Sequence, residues 1–145
     1  SWDDVAAIRK QWGGKLIIKG VLDAEDAKAA VNIGADAIIV SNHGGRQLDG
    51  AISAIAALPA IVDAVGNKTE VWMDSGIRSG QDVLRAIALG AKGTLIGRAF
   101  LYGLGARGQD GVRETLEIIH KELDVTMGLC GKSDLASIDD SILLR

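Results

Sequence analysis

Four short apolar runs punctuate the chain: Leu16-Ile17-Ile18, Ala37-Ile38-Ile39-Val40, Val71-Trp72-Met73 and Thr94-Leu95-Ile96. They are continuous rather than alternating, the pattern of strands covered on both faces. A polar or glycine-rich turn follows each run. Apolar residues recur at helical spacing over residues 24–34, 55–65, 79–90 and 111–123. Strand, loop and helix therefore repeat three times, and a fourth strand and terminal helices follow. This predicts an α/β fold with a parallel sheet and crossover helices. A further helix is expected at the amino end, where Ser1 can cap and Asp3 and Asp4 favour the first turn. Residues 23–37 read like residues 79–93. Each stretch opens a helix at a polar capping residue and closes it at a Gly-Ala pair, where Gly34 and Gly90 suit the left-handed position just past a helix. Any βα unit can end this way, so the likeness does not establish a repeat. The single proline, Pro59, falls inside or at the edge of a helical stretch.

The strands recur at spacings of 22, 33 and 23 residues, measured at Ile18, Val40, Met73 and Ile96. A full (β/α)₈ barrel takes roughly 250 residues, so four units are about half of one. A doubly wound open sheet is the competing architecture. The barrel is preferred because chemically suggestive residues follow every strand rather than one switch point. No linker or low-complexity segment divides residues 1–145, which read as a single partial domain. The first residues open a helix without an initiator methionine, which gives the expectation that the chain is a piece of a larger protein.

Composition narrows the function. The 16 basic and 19 acidic side chains give a formal charge of −3, which does not suggest a nucleic-acid backbone binder. Aromatic residues make up only 3% of the chain, too few for a base-stacking surface. A hydrophobic content of 48% and a mean hydropathy of +0.20 argue against disorder. One cysteine excludes an internal disulfide framework and a multi-cysteine zinc site, and two histidines leave little scope for a metal centre. No metal is expected. No apolar run approaches the roughly 18 residues of a membrane span, and there is neither a basic-then-apolar leader nor a C-terminal address.

The turns after the strands carry the candidate chemistry. The second strand leads into Ser41-Asn42-His43-Gly44-Gly45-Arg46-Gln47-Leu48-Asp49-Gly50. A histidine at the carboxyl end of a barrel strand lies where barrel active sites lie. Imidazole takes a proton near neutral pH, and a guanidinium close by can hold a carboxylate through two hydrogen bonds. The residues alone leave a capped loop histidine equally open. The third strand leads into Asp74-Ser75-Gly76-Ile77-Arg78 and a helix, and the fourth into Gly97-Arg98. Glycines that let backbone N–H groups approach an anion, a helix start and two arginines favour a phosphate site over ordinary glycine turns with solvated arginines. Lys19, after the first strand, can stabilise negative charge developing on a cofactor or substrate.

Together, Leu16-Ile17-Ile18-Lys19-Gly20, the Ser41 to Asp49 string, Asp74-Ser75-Gly76-Ile77-Arg78 and Gly97-Arg98 resemble the FMN-dependent α-hydroxy acid oxidase and dehydrogenase family. That family includes glycolate oxidase, L-lactate dehydrogenase and mandelate dehydrogenase. The resemblance covers essentially the whole chain and implies the C-terminal half of a TIM barrel, strands five to eight, preceded by the helix after strand four. It implies oxidation of a small L-2-hydroxy acid to a 2-oxo acid with FMN as first electron acceptor. His43 resembles the base that takes the substrate's proton, and Arg46 the residue that binds the substrate carboxylate. Lys19 resembles the lysine at the flavin's N1 and O2 edge, and Ser41 a flavin-contacting serine. Asp74, Ser75, Gly76, Ile77, Arg78, Gly97 and Arg98 resemble the segment around the FMN ribityl chain and phosphate. Ser75 departs from the pattern, being glycine in many members.

The family's tyrosines belong to strands one to four, and Tyr102 does not replace them. The implied partners are a 2-hydroxy acid and the N-terminal half of the barrel, or a second copy of this chain, with the complete barrel forming a higher homo-oligomer. The implied location is cytoplasmic, with room for peripheral association with the inner membrane. Two other readings remain at this point: a different FMN- or phosphate-binding barrel enzyme, and a non-catalytic half-barrel module.

Overall fold

The computed structural model describes residues 1–144. Helix α1 (Trp2–Gln11) opens as expected. The Ser1 hydroxyl accepts from the Asp4 N–H, and the Asp4 carboxylate reaches back to the amino terminus. Strand β1 (Ile17–Val21) follows, then helix α2 (Ala24–Asn32), strand β2 (Ala37–Val40), helix α3 (Ala54–Val65), strand β3 (Glu70–Met73), helix α4 (Gly80–Ala88), strand β4 (Gly93–Thr94) and helix α5 (Arg98–Leu129). Asp23 caps α2, and Ser79 with Asp82 forms a capping box on α4. Gly34 and Gly90 take φ of 90° and 100°, as the Gly-Ala endings predict. Pro59 lies within α3.

All strand pairs are parallel and the sheet order is β1-β2-β3-β4. Parallel strands added successively in one direction, each through a right-handed crossover, place their helices on one face of the sheet. A doubly wound sheet would instead reverse direction at a switch point. The core between sheet and helices is built on Ile38, Val40, Leu58, Ile61, Val65, Val71 and Met73, all essentially fully buried. Each such side chain contributes roughly 1.5–3 kcal/mol.

Three expectations need correction. Only β2 is buried at every position, and Ile17 of β1 is 53% exposed. The continuous apolar runs therefore do not mean cover on both faces throughout this chain. The fourth strand is Gly93–Thr94 rather than residues 94–96, although the Leu95 N–H still donates to the Met73 carbonyl. The last helix begins at Arg98 rather than residue 111. It is two helical segments joined at Arg107 and Gly108, where Gly108 has φ of 59° and ψ of −138°. The segments fold back so closely that a side chain at Gly103 or Gly111 would strike the other's backbone. A helical period read along the sequence does not survive such a break, which is why only its second part was legible.

Candidate active site

The carboxyl ends of all four strands converge on a cavity of about 270 Å³. Lys19 lies within β1, two residues before its end rather than after the strand as expected, His43 and Arg46 follow β2, Asp74 to Arg78 follow β3, and Gly97 and Arg98 open α5. Every residue selected from the sequence lines this cavity except Ser41, which is fully buried beneath it. Gly44, Gln47, Leu95, Ile96, Ala99 and Leu101 complete the lining. A larger depression lies at the opposite end of the sheet, between α3, α4 and the C-terminal segment, and Lys92 is its sole basic residue. The smaller cavity is the chemically concentrated one.

Its charge is strongly one-sided. Lys19, Arg46, Arg78 and Arg98 face it with His43, against the single carboxylate of Asp74. That carboxylate is already paired, with Lys19 Nζ 2.6 Å from Asp74 Oδ2. Burial resists charging Asp74. The Lys19 ammonium and the Ser41 and Ser75 hydroxyls outweigh that resistance and hold its carboxyl below the ordinary carboxylate range. Three guanidinium groups remain for anionic ligands, enough for a phosphate and a carboxylate together.

The loop that carries His43 is in an unusual conformation. His43, Gly44 and Gly45 take φ of 56°, 69° and 73°, three successive left-handed residues. Positive φ is uncommon outside glycine, although histidine tolerates it better than most residues. Here the His43 N–H donates to Ser41 Oγ at 3.2 Å, and the Gly44 N–H to Asn42 Oδ1 at 3.0 Å and Ser75 Oγ at 3.1 Å. Arg98 Nη2 donates to the Gly44 carbonyl at 3.2 Å. Lys19 Nζ donates to Ser41 Oγ at 2.8 Å, so Ser41 supports both Lys19 and the histidine loop from below.

One site residue was not singled out from the sequence. Gly20 has φ of 96°, and a methyl group there would lie 2.7 Å from His43 Cε1. The imidazole is seated against bare backbone. The available signal was a glycine directly after the candidate lysine. A Gly20→Ala substitution is expected to displace the ring and lower turnover by on the order of a hundredfold, the usual effect of a misplacement of about 1 Å. Steady-state kinetics together with the thermal midpoint checks this.

The amino ends of α1, α2 and α4 are satisfied by Ser1, Asp23 and Ser79. The starts of α3 at Ser53 and of α5 at Gly97 have no side-chain cap, and of these the α5 start opens onto the cavity beside Arg98. Its first N–H groups can therefore bind an anion. Added side chains at Gly76 and Gly97 would meet no atom within 4 Å, so a ligand can approach the backbone at both.

A family model described as FMN-dependent dehydrogenase matches residues 1–145. An L-lactate dehydrogenase of Caulobacter vibrioides is 59% identical over 142 residues, covering 98% of this chain and 37% of that protein. Among solved structures, a soluble mutant of the membrane-associated (S)-mandelate dehydrogenase from Pseudomonas putida superposes with a TM-score of 0.95 at 44% identity. It covers 99% of this chain and 41% of its own. A mandelate oxidase mutant carrying a monooxide FMN adduct gives a TM-score of 0.91 at 48% identity, over 95% of this chain and 44% of that one. The chain thus spans less than half the length of these relatives. The chain belongs to the FMN-dependent dehydrogenase family.

Proposed function

We propose that this chain supplies strands five to eight of a (β/α)₈ barrel that oxidises a small L-2-hydroxy acid to a 2-oxo acid, with FMN as first electron acceptor. The observation that carries the reading is the convergence, on one cationic cavity, of a seated imidazole, a separate arginine and an uncapped helix start. The residues fit FMN. The open start of α5, with Arg98, Arg78 and the accessible backbone of Gly76 and Gly97, suits its phosphate and ribityl chain. When bound, FMN supplies the two-electron acceptor. His43 takes a proton from the substrate, and Arg46 holds the substrate carboxylate. Lys19, steadied by Ser41 and Asp74, places positive charge where negative charge develops. The L-lactate and mandelate relatives support a hydroxy acid substrate over a different phosphate-binding barrel chemistry. The sequential strand order supports the barrel. No helix among the described residues is long and apolar enough to cross a membrane. The membrane-associated relative supports peripheral attachment of the whole protein to a membrane.

The test is anaerobic addition of L-lactate, glycolate or L-mandelate to the full-length, FMN-loaded protein. Bleaching of the yellow chromophore by at least one of the three acids, and by the L but not the D form where the acid is chiral, is the expected result. A chromophore unaffected by all of them would refute the reading.

The arginines should separate in effect. Arg78→Ala is expected to weaken FMN retention, and Arg46→Ala to raise the substrate KM with flavin retained. Losing a charge-assisted contact costs about 1.5–3 kcal/mol, or roughly tenfold to a hundredfold. Arg98 also holds the Gly44 carbonyl. Arg98→Ala should therefore lower flavin retention and kcat together. Flavin content after dialysis and steady-state kinetics measure the two effects independently.

A further inference from the structure

We infer that Ser75 is a positioning residue for His43, acting through its hydroxyl rather than as a contact to cofactor. The inference rests on the functional reading above. Ser75 is, with His43, one of two non-glycine residues with positive φ among the described residues, at 68°. A side chain there costs stability that glycine would not. The hydroxyl offsets that cost. It donates its hydrogen to Asp74 Oδ1 at 2.8 Å and accepts the Gly44 N–H at 3.1 Å. Its single hydrogen is thereby committed to Asp74.

These bonds close a ring. From Lys19 one arm runs through Ser41 to the His43 N–H. The other runs through Asp74 and Ser75 to the Gly44 N–H. The middle of β1 and the residues that follow β2 and β3 are thus tied to the two backbone groups that flank the imidazole's attachment point. Ser75 is the link through which the Lys19–Asp74 ion pair reaches the histidine loop. Removing its hydroxyl leaves Gly44 with Asn42 as its remaining acceptor and opens the ring on that side.

The experiment compares Ser75→Ala and Ser75→Gly in the full-length protein. Alanine removes the hydroxyl and keeps the left-handed backbone cost, whereas glycine removes both. Both variants are expected to lose kcat by on the order of tenfold to a hundredfold with KM for the hydroxy acid little changed. In both, hydrogen exchange at the Gly44 amide should rise about tenfold, measured with and without FMN. The thermal midpoint of the glycine variant should not fall below that of the alanine variant. Wild-type kcat and Gly44 exchange in Ser75→Ala would overturn the inference, as would a loss confined to the glycine variant. Faster exchange with undiminished kcat, or the reverse, would also overturn it. If the wild-type protein oxidises no hydroxy acid, the functional reading fails by itself, and the exchange measurement still decides whether Ser75 holds the loop.

Discussion

His43→Ala and His43→Gln are expected to reduce the rate of substrate-dependent flavin reduction by about 10²- to 10⁴-fold, the usual contribution of a positioned acid–base group, while FMN remains bound. The separation follows from the layout of the cavity. The imidazole sits on Gly20 at the end of β1, whereas the groups suited to the phosphate lie after β3 and at the start of α5. Neither substitution removes a cation from that second cluster. Glutamine keeps a polar side chain of similar reach but takes no proton, so it should be as damaging as alanine if proton removal is the role. The loop conformation is held by the His43 and Gly44 N–H groups, not by the ring. The backbone should therefore stay in place, although alanine at φ of 56° is not favoured. Anaerobic stopped-flow absorbance reads the rate and the absorbance spectrum reads flavin content. A wild-type reduction rate in His43→Gln would contradict the assignment.

The second large effect concerns assembly. The 145-residue chain by itself is expected not to persist as a monomer. Its sheet is open, with β1 and β4 at the edges, and both are short and without proline. Ile17 on β1 is 53% exposed, as are Leu101 and Tyr102 on α5 at 50% and 77%. Leaving several such side chains in water forgoes roughly 1.5–3 kcal/mol each. The proposed remedy is the N-terminal half of the barrel, with a homodimer of half-barrels as the lesser alternative, since it duplicates His43 and Arg46. Equilibrium sedimentation of the isolated chain should show self-association or aggregation, relieved when the remaining half is supplied. A 15.1 kDa species that sediments as a monomer and unfolds cooperatively would refute both versions.

Much of this architecture was legible because periodicity and capping agreed. Asp23, Ser79 and Ser1 start helices where polar residues precede apolar periods, and Gly34 and Gly90 end them. The site was legible as a set of strand-end residues, because a parallel sheet brings the residues after each strand to one end. What escaped was what depends on distant parts of the chain meeting. That Gly20 seats the imidazole requires knowing how the His43 loop folds back over β1. That Ser41 is buried beneath the cavity, and that Ser75 reaches Gly44, depends on side-chain directions set by left-handed residues no period reveals. The break at Arg107 and Gly108 hid the first part of α5 for the same reason.

Rapid-quench single turnover of the full-length, FMN-loaded protein without oxygen, following 2-oxo acid and flavin absorbance in the same samples, decides whether the His43 cavity couples oxidation of a 2-hydroxy acid to reduction of FMN. One 2-oxo acid is expected per flavin reduced, with both appearing at the same rate in the wild-type protein and both slowed together in His43→Gln. Flavin that stays oxidised while the hydroxy acid is consumed, or flavin reduced with no 2-oxo acid formed, would contradict that coupling.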